Sequence, residues 1–80
     1  MKSTPESIRF AIDTLTADVV QRYAIENGMT GTASLRFLMK TDTYKLLAAP
    51  ESLLYLESAE YVLDMLNAEL LGDIERWLEI

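Results

Sequence analysis

The sequence contains no histidine and no cysteine among its 80 residues. Without cysteine there are no disulfide bonds and no thiol nucleophiles, and without either residue there is no Cys/His zinc site and no imidazole base. The serines therefore have no histidine to activate them, and no SxxK spacing supplies a lysine instead. The three glycines form neither a Walker pattern nor a GxGxxG loop for phosphate. We expect a protein that is not an enzyme and that holds no cofactor.

Long hydrophobic runs are also missing. No apolar run approaches the roughly 20 residues that cross a bilayer, and the start of the chain lacks the layout of a signal peptide. A cytoplasmic location without membrane association is therefore expected. Half of the residues are hydrophobic, more than a lone helical domain of this length easily buries. We therefore expect a homo-oligomer.

Basic residues are scarce, and the charge is uneven along the chain. Seven Lys and Arg face thirteen Asp and Glu, which gives a net charge of −6. Residues 1–50 hold six basic and five acidic residues (net +1), whereas residues 51–80 hold one basic and eight acidic residues (net −7). Such an acidic segment favours a basic protein partner and disfavours nucleic acid.

The spacing of the apolar residues indicates an all-α fold, a small bundle of four to five helices in which the first and last are long and those between are short. Ile8, Ile12, Leu15, Val19 and Tyr23 form one face of the first helix. Period-two alternation, the signal of strands, does not occur. The predicted helices span residues 5–26, 31–40, 42–48, 51–57 and 59–79.

Capping residues set these boundaries. Thr4, Thr30, Asp42 and Ser58 stand where a side-chain oxygen can accept from a free amide at a helix start. Asn27-Gly28 ends the first helix, because Gly28 can adopt the left-handed conformation. Gly72 interrupts the last apolar pattern, and a single helix bent near Gly72 is the favoured interpretation over two shorter helices.

Carboxylates are the main polar groups of the acidic segment. Glu57, Glu60 and Asp64 stand at i, i+3 and i+7, close to one helical face. Such a row is commonly a solvated face; a partner-facing surface is the alternative, and a metal site lacks a second set of ligands. Aromatic residues nearby could anchor a partner. The candidate partner-binding residues are Glu57, Glu60, Tyr61, Asp64, Glu69 and Trp77.

Two other functions remain open. In the first, the chain is a homodimeric structural domain with no separate ligand, and its contact is the apolar tail of Leu70, Leu71, Ile74, Trp77 and Leu78. In the second, the chain is a helix-turn-helix regulator whose corner lies at Gly28. Its recognition helix would present Thr32, Ser34, Arg36 and Lys40.

Three segments resemble a bacterial family of small all-helical domains of unknown function. They are Tyr23-Ala24-Ile25-Glu26-Asn27-Gly28-Met29-Thr30, Leu53-Leu54-Tyr55-Leu56 and Ser58-Ala59-Glu60-Tyr61-Val62-Leu63-Asp64. A histidine usual in the family is replaced here by Leu56. Genes of this family are sometimes encoded beside ADP-ribosyltransferase-like toxins, so the resemblance implies an antitoxin-like or accessory role. It carries over no catalytic residue.

Overall fold

The structure, a computed structural model, describes residues 4–79. Within that range the chain forms five α-helices and no strand, so the all-α prediction is confirmed. Two short 3₁₀ turns lie between the third and fourth helices. The helices are α1 (Pro5–Asn27), α2 (Gly31–Leu38), α3 (Asp42–Ala48), α4 (Ala59–Leu70) and α5 (Ile74–Glu79).

Helix α1 begins and ends as its sequence predicts. The Thr4 hydroxyl oxygen accepts from the amide of Ser7 at 3.0 Å, and Pro5 occupies the first turn, where its missing amide costs nothing. Gly28 ends the helix with φ of 62°. The amide of Met29 then donates to the carbonyl of Ala24, which completes a Schellman motif.

The corner between α1 and α2 is fixed by side chains on both helices. Thr30 caps α2 by accepting from the amide of Ala33. The buried Ser34 donates its hydroxyl to the carbonyl of Val20 at 2.9 Å. The rings of Tyr23 and Phe37 stack with centroids 5.5 Å apart. These contacts set the rotation of α2 about its own axis.

That rotation turns only part of the apolar side of α2 inward. Leu38 is buried, but Leu35 and Met39 are 38% and 53% exposed. Helix α2 also ends at Leu38, two residues before the predicted Lys40. Two backbone turns follow it, in which the Lys40 and Thr41 amides donate to carbonyls three residues back.

Two boundaries in the middle of the chain differ from the prediction. Thr41, and not Asp42, caps α3 by accepting from the amide of Tyr44 at 3.1 Å. The predicted helix at 51–57 is wrong, because two 3₁₀ turns meet at Leu53, which has φ of 60°. Ser52 explains the break. Its hydroxyl bonds back to the carbonyl of Ala49 at 2.8 Å and accepts from the amide of Leu54 at 3.2 Å, so it competes with helical bonding.

The last predicted helix is two helices and not one bent rod. Gly72 has φ of 73°, and the amide of Asp73 donates to the carbonyl of Ala68 at 2.9 Å, the same Schellman motif that ends α1. Asp73 then caps α5 by accepting from the amide of Arg76. The end of one helix and the start of the next thus lie within two residues.

The core lies where α4 packs on α1 and α3. Its buried side chains are Val19, Leu38, Leu47, Leu54, Ala59, Val62, Leu63, Met65 and Leu66. The radius of gyration is 12.6 Å. No helix in residues 4–79 is long and apolar enough to span a membrane.

Candidate partner-binding surface

The outer side of α4 carries the acidic row. Ser58 starts the helix by accepting from the amide of Tyr61 at 3.1 Å, and this places Glu60 and Asp64 one turn apart on the exposed side. Glu57, just before the cap, is also exposed. Among the described residues one basic group comes within 4 Å of the row, Arg22 of α1, whose Nη1 lies 3.9 Å from a Glu60 carboxylate oxygen. The row is therefore a largely uncompensated negative surface facing solvent.

An apolar cleft adjoins this row. It has a volume of about 370 Å³, and Glu57 and the half-buried Tyr61 both line it. Leu53 forms part of its edge and is 55% exposed. The other lining residues are Leu46, Ser52, Leu54 and Met65. We call this cleft, with Glu60 and Asp64 beside it, the acidic cleft.

The sequence pattern did not reveal this cleft. The predicted helix at 51–57 would have followed a regular path, whereas the left-handed conformation of Leu53 turns the chain between the two 3₁₀ turns. Pro50 and Ser52 were the available signals, because proline starts turns and serine hydroxyls bond to nearby backbone.

Glu69 does not line the acidic cleft, because its carboxylate forms hydrogen bonds inside the fold. One oxygen accepts from the amide and the hydroxyl of Thr43, both at 2.7 Å. The other accepts from the amide of Asp42 at 2.9 Å. Glu69 of α4 therefore caps the start of α3, and these bonds occupy the oxygens that the sequence pattern predicts for a partner.

These contacts decide the protonation of Glu69. Partial burial alone would raise the pKa of its carboxyl, but the hydrogen bonds from the Thr43 hydroxyl and from the amides of Asp42 and Thr43 outweigh it, helped by the charge of Lys45. The net result is a pKa below the usual value. The Glu69 carboxylate that caps α3 is thus fully charged at neutral pH.

Trp77 belongs to the same network. Its indole Nε1 donates to the Thr43 hydroxyl at 3.1 Å, so Thr43 accepts from Trp77 while it donates to Glu69. This chain of bonds ties α5 to α3 and α4. Trp77 is half-buried and packs against the core, so it supports the fold more than it offers a surface.

The rest of the chain end is apolar and exposed. Leu71 and Ile74 are 82% and 69% exposed, and Leu70 and Leu78 are exposed as well. A second cavity of about 410 Å³ lies beside them, between Trp77, Ala68 and Gly72. This confirms the surplus of apolar surface that the composition indicates.

Two of the four residues predicted for the recognition helix of a helix-turn-helix are not placed to contact DNA from that helix. Ser34 is fully buried and bonded to Val20, so it cannot reach a base. Lys40 lies beyond the end of α2. Thr32 and Arg36 remain on the exposed side of a helix of eight residues.

Among the side chains that the structure describes, no group of three Asp and Glu could hold a metal ion. The chain matches no protein-family model, no curated protein and no solved structure. The acidic cleft is therefore interpreted from its own geometry.

Proposed function

We propose that the chain is a non-enzymatic module that binds a partner protein through the acidic cleft. The observation that carries the proposal is that Glu57 lines an apolar cleft together with Tyr61. A carboxylate at the edge of an apolar pocket suits a segment with an apolar anchor next to Lys or Arg. Buried aromatic anchors ringed by polar contacts are the usual centres of interface energy.

Charge supports the same partner chemistry. The net charge of −7 in residues 51–80 attracts a basic segment from a distance and repels nucleic acid. Glu60 and Asp64 would guide the approach, because exposed charges at the rim act mainly on the association rate. Tyr61 and Leu53 would supply apolar contact once the segment is seated.

A matched pair of peptides tests this proposal. One carries a leucine flanked by lysines, and the other carries the same leucine flanked by glutamates; each is titrated into the ¹⁵N-labelled chain. The basic peptide is expected to shift the amide signals around Glu57, Tyr61 and Asp64, and its binding should weaken as salt is added. Equal binding of both peptides, or shifts confined to another surface, would contradict the proposal.

A charge-reversal pair separates the cleft from the overall charge. Glu57→Lys and Glu26→Lys make the same change in net charge, and both residues are exposed, but Glu26 lies near the end of α1. Glu57→Lys is expected to abolish binding of the basic peptide, and Glu26→Lys to leave most of it. If both variants lose binding equally, the net charge and not the cleft is responsible.

The family resemblance adds an antitoxin-like or accessory role to the proposal, in which the bound protein is an ADP-ribosyltransferase-like toxin. Where such a toxin is encoded beside the gene, co-expression tests the idea. The wild-type chain should restore growth, and Glu57→Lys should not while Glu26→Lys does.

A further inference from the structure

The outward face of α1 bears a large aromatic side chain that the fold leaves uncovered. Phe10 is 73% exposed. Ala17 and Ala24 follow at intervals of seven residues, so the three lie on nearly one line along the helix, drifting only about 20° per interval. Ala17 is exposed, and Ala24 is buried beneath the neighbouring helix α2.

A groove opens near Ala24, at the opposite end of this line from Phe10. It lies between α1 and α2, has a volume of about 550 Å³, and is lined by Ala17, Val20, Ala24, Ile25 and Leu35 among others. Ser34 fixes α2 at this distance through its bond to Val20. No charged residue lines the groove.

We propose that two copies of the chain pair through this face, with their α1 helices antiparallel and a two-fold axis at Ala17. Phe10 and Ala24 lie the same distance from Ala17 on opposite sides, about 10.5 Å along the helix. The two-fold therefore sets Phe10 of each copy opposite Ala24 of the other, at the mouth of the groove. A self-complementary contact of this kind closes as a dimer.

Charge favours a second copy at this face. Asp13 lies beside Phe10 on the outer side of α1, and its ion pair with Arg9 at 3.4 Å is exposed to solvent and therefore weak. Arg36 lies beside the groove residue Leu35, and no carboxylate of the described residues is within 4 Å of it. Antiparallel pairing brings the Asp13 end of one copy towards the Arg36 side of the other.

The same charge argument disfavours pairing through the apolar chain end. Two copies meeting there would set two segments of net charge −7 against each other, whereas residues 1–50 have a net charge of only +1. Helix α4 packs on the opposite, buried side of α1. The acidic cleft thus stays open in the dimer, and the pairing does not depend on the function proposed for that cleft.

Cysteine cross-linking tests the axis directly, because the chain has no cysteine of its own. Ala17→Cys places two thiols at the axis, within the Cα separation of about 4.4–6.8 Å that a disulfide spans. Glu26→Cys is the matched control, since its two copies would lie about 27 Å apart along the helices. Under mild oxidation Ala17→Cys is expected to give a covalent dimer and Glu26→Cys is not. Equal yields from both variants would overturn the proposed axis.

Light scattering over a concentration series tests the dimer without cross-linking. The wild-type chain is expected to reach twice its 9.1 kDa mass. Ala17→Glu should remain folded by circular dichroism, because residue 17 is exposed in a single copy. It should be monomeric, because the glutamates of the two copies would repel each other at the axis. Phe10→Ser should weaken the dimer by on the order of a hundredfold, because two rings lose their burial. A wild-type monomer at all concentrations, or a dimer that Leu71→Asp dissociates and Ala17→Glu does not, would overturn the proposal.

Discussion

Replacing Glu69 with alanine removes one carboxylate that accepts hydrogen bonds from three donors. Two of the donors are the amide and the hydroxyl of Thr43, each 2.7 Å away. Thr43 is only 2% exposed, so water cannot replace the lost partner without opening the fold. The amide of Asp42, the third donor, is exposed and can turn to water instead.

The expected loss of stability follows from that difference in exposure. A buried donor left without a partner costs about 1–3 kcal/mol, and the Thr43 groups are two such donors that share one site. We therefore expect Glu69→Ala to lower the free energy of unfolding by about 2–4 kcal/mol. This loss is a large part of the roughly 4–12 kcal/mol that a chain of this length has in total, and the melting temperature should fall by at least about 8 °C.

Urea denaturation measures this change with two signals. Circular dichroism follows all helices, and the fluorescence of Trp77, the single tryptophan, follows the contact of α5 with Thr43. Asp64→Ala is the matched control, because Asp64 is an exposed carboxylate of the same helix and should change stability by less than about 0.5 kcal/mol. A loss below about 1 kcal/mol for Glu69→Ala would refute the capping role.

The pH dependence gives an independent check. The folded-state pKa of Glu69 lies below its ordinary value of 4.5, so the charged carboxylate stabilises the fold above that pH. This contribution disappears as the pH falls through the folded-state pKa. The stability difference between wild type and Glu69→Gln should therefore be largest near neutral pH and shrink in acid. A difference that stays constant with pH would show that the charge is not involved.

Three further substitutions test other parts of the fold. Trp77→Phe keeps most of the ring but loses the bond to Thr43; we expect a loss of about 1 kcal/mol, with faster hydrogen exchange in α5 than in α4. Gly72→Ala forces a side chain into a φ of 73° and should cost about 1 kcal/mol, whereas Gly31→Ala, in open space inside α2, should be neutral or stabilising by thermal melting. Ser34→Ala removes the hydroxyl that donates to the Val20 carbonyl and should cost about 1 kcal/mol in urea titration, and an unchanged midpoint would contradict the role of this bond in fixing α2.

The sequence predicts local features of this fold well. The caps at Thr4, Thr30 and Ser58 and the end of α1 at Gly28 each depend on residues within five positions of one another, and all four are found in the structure. Gly72 makes the same bonds as Gly28. The apolar pattern continues through Gly72 and therefore favours a single bent helix, whereas Asp73 acts as a new cap that the apolar pattern does not reveal.

Features built by distant residues could not be predicted in this way. Glu69 meets Thr43 across 26 positions, and Trp77 meets it across 34. Nothing in the spacing of either residue separates an internal cap from a surface charge. The exposure of Glu57, Glu60 and Asp64 agrees with the predicted solvent-facing row, while the cleft beside them depends on the conformation of Leu53.

The two kinds of contact also imply an order of folding. Ser34 closes the corner of α1 and α2 across 14 positions, whereas the first two amides of α3 gain a protein partner only when Glu69, 27 and 26 positions further along the chain, packs against them. Short loops close with a smaller loss of entropy than long ones. The corner of α1 and α2 can therefore form early, and α3 gains its full stability only together with α4. While the chain is still being synthesised and Glu69 has not yet left the ribosome, α3 would lack its cap. Helix α3 therefore becomes stable only after α4 has been made.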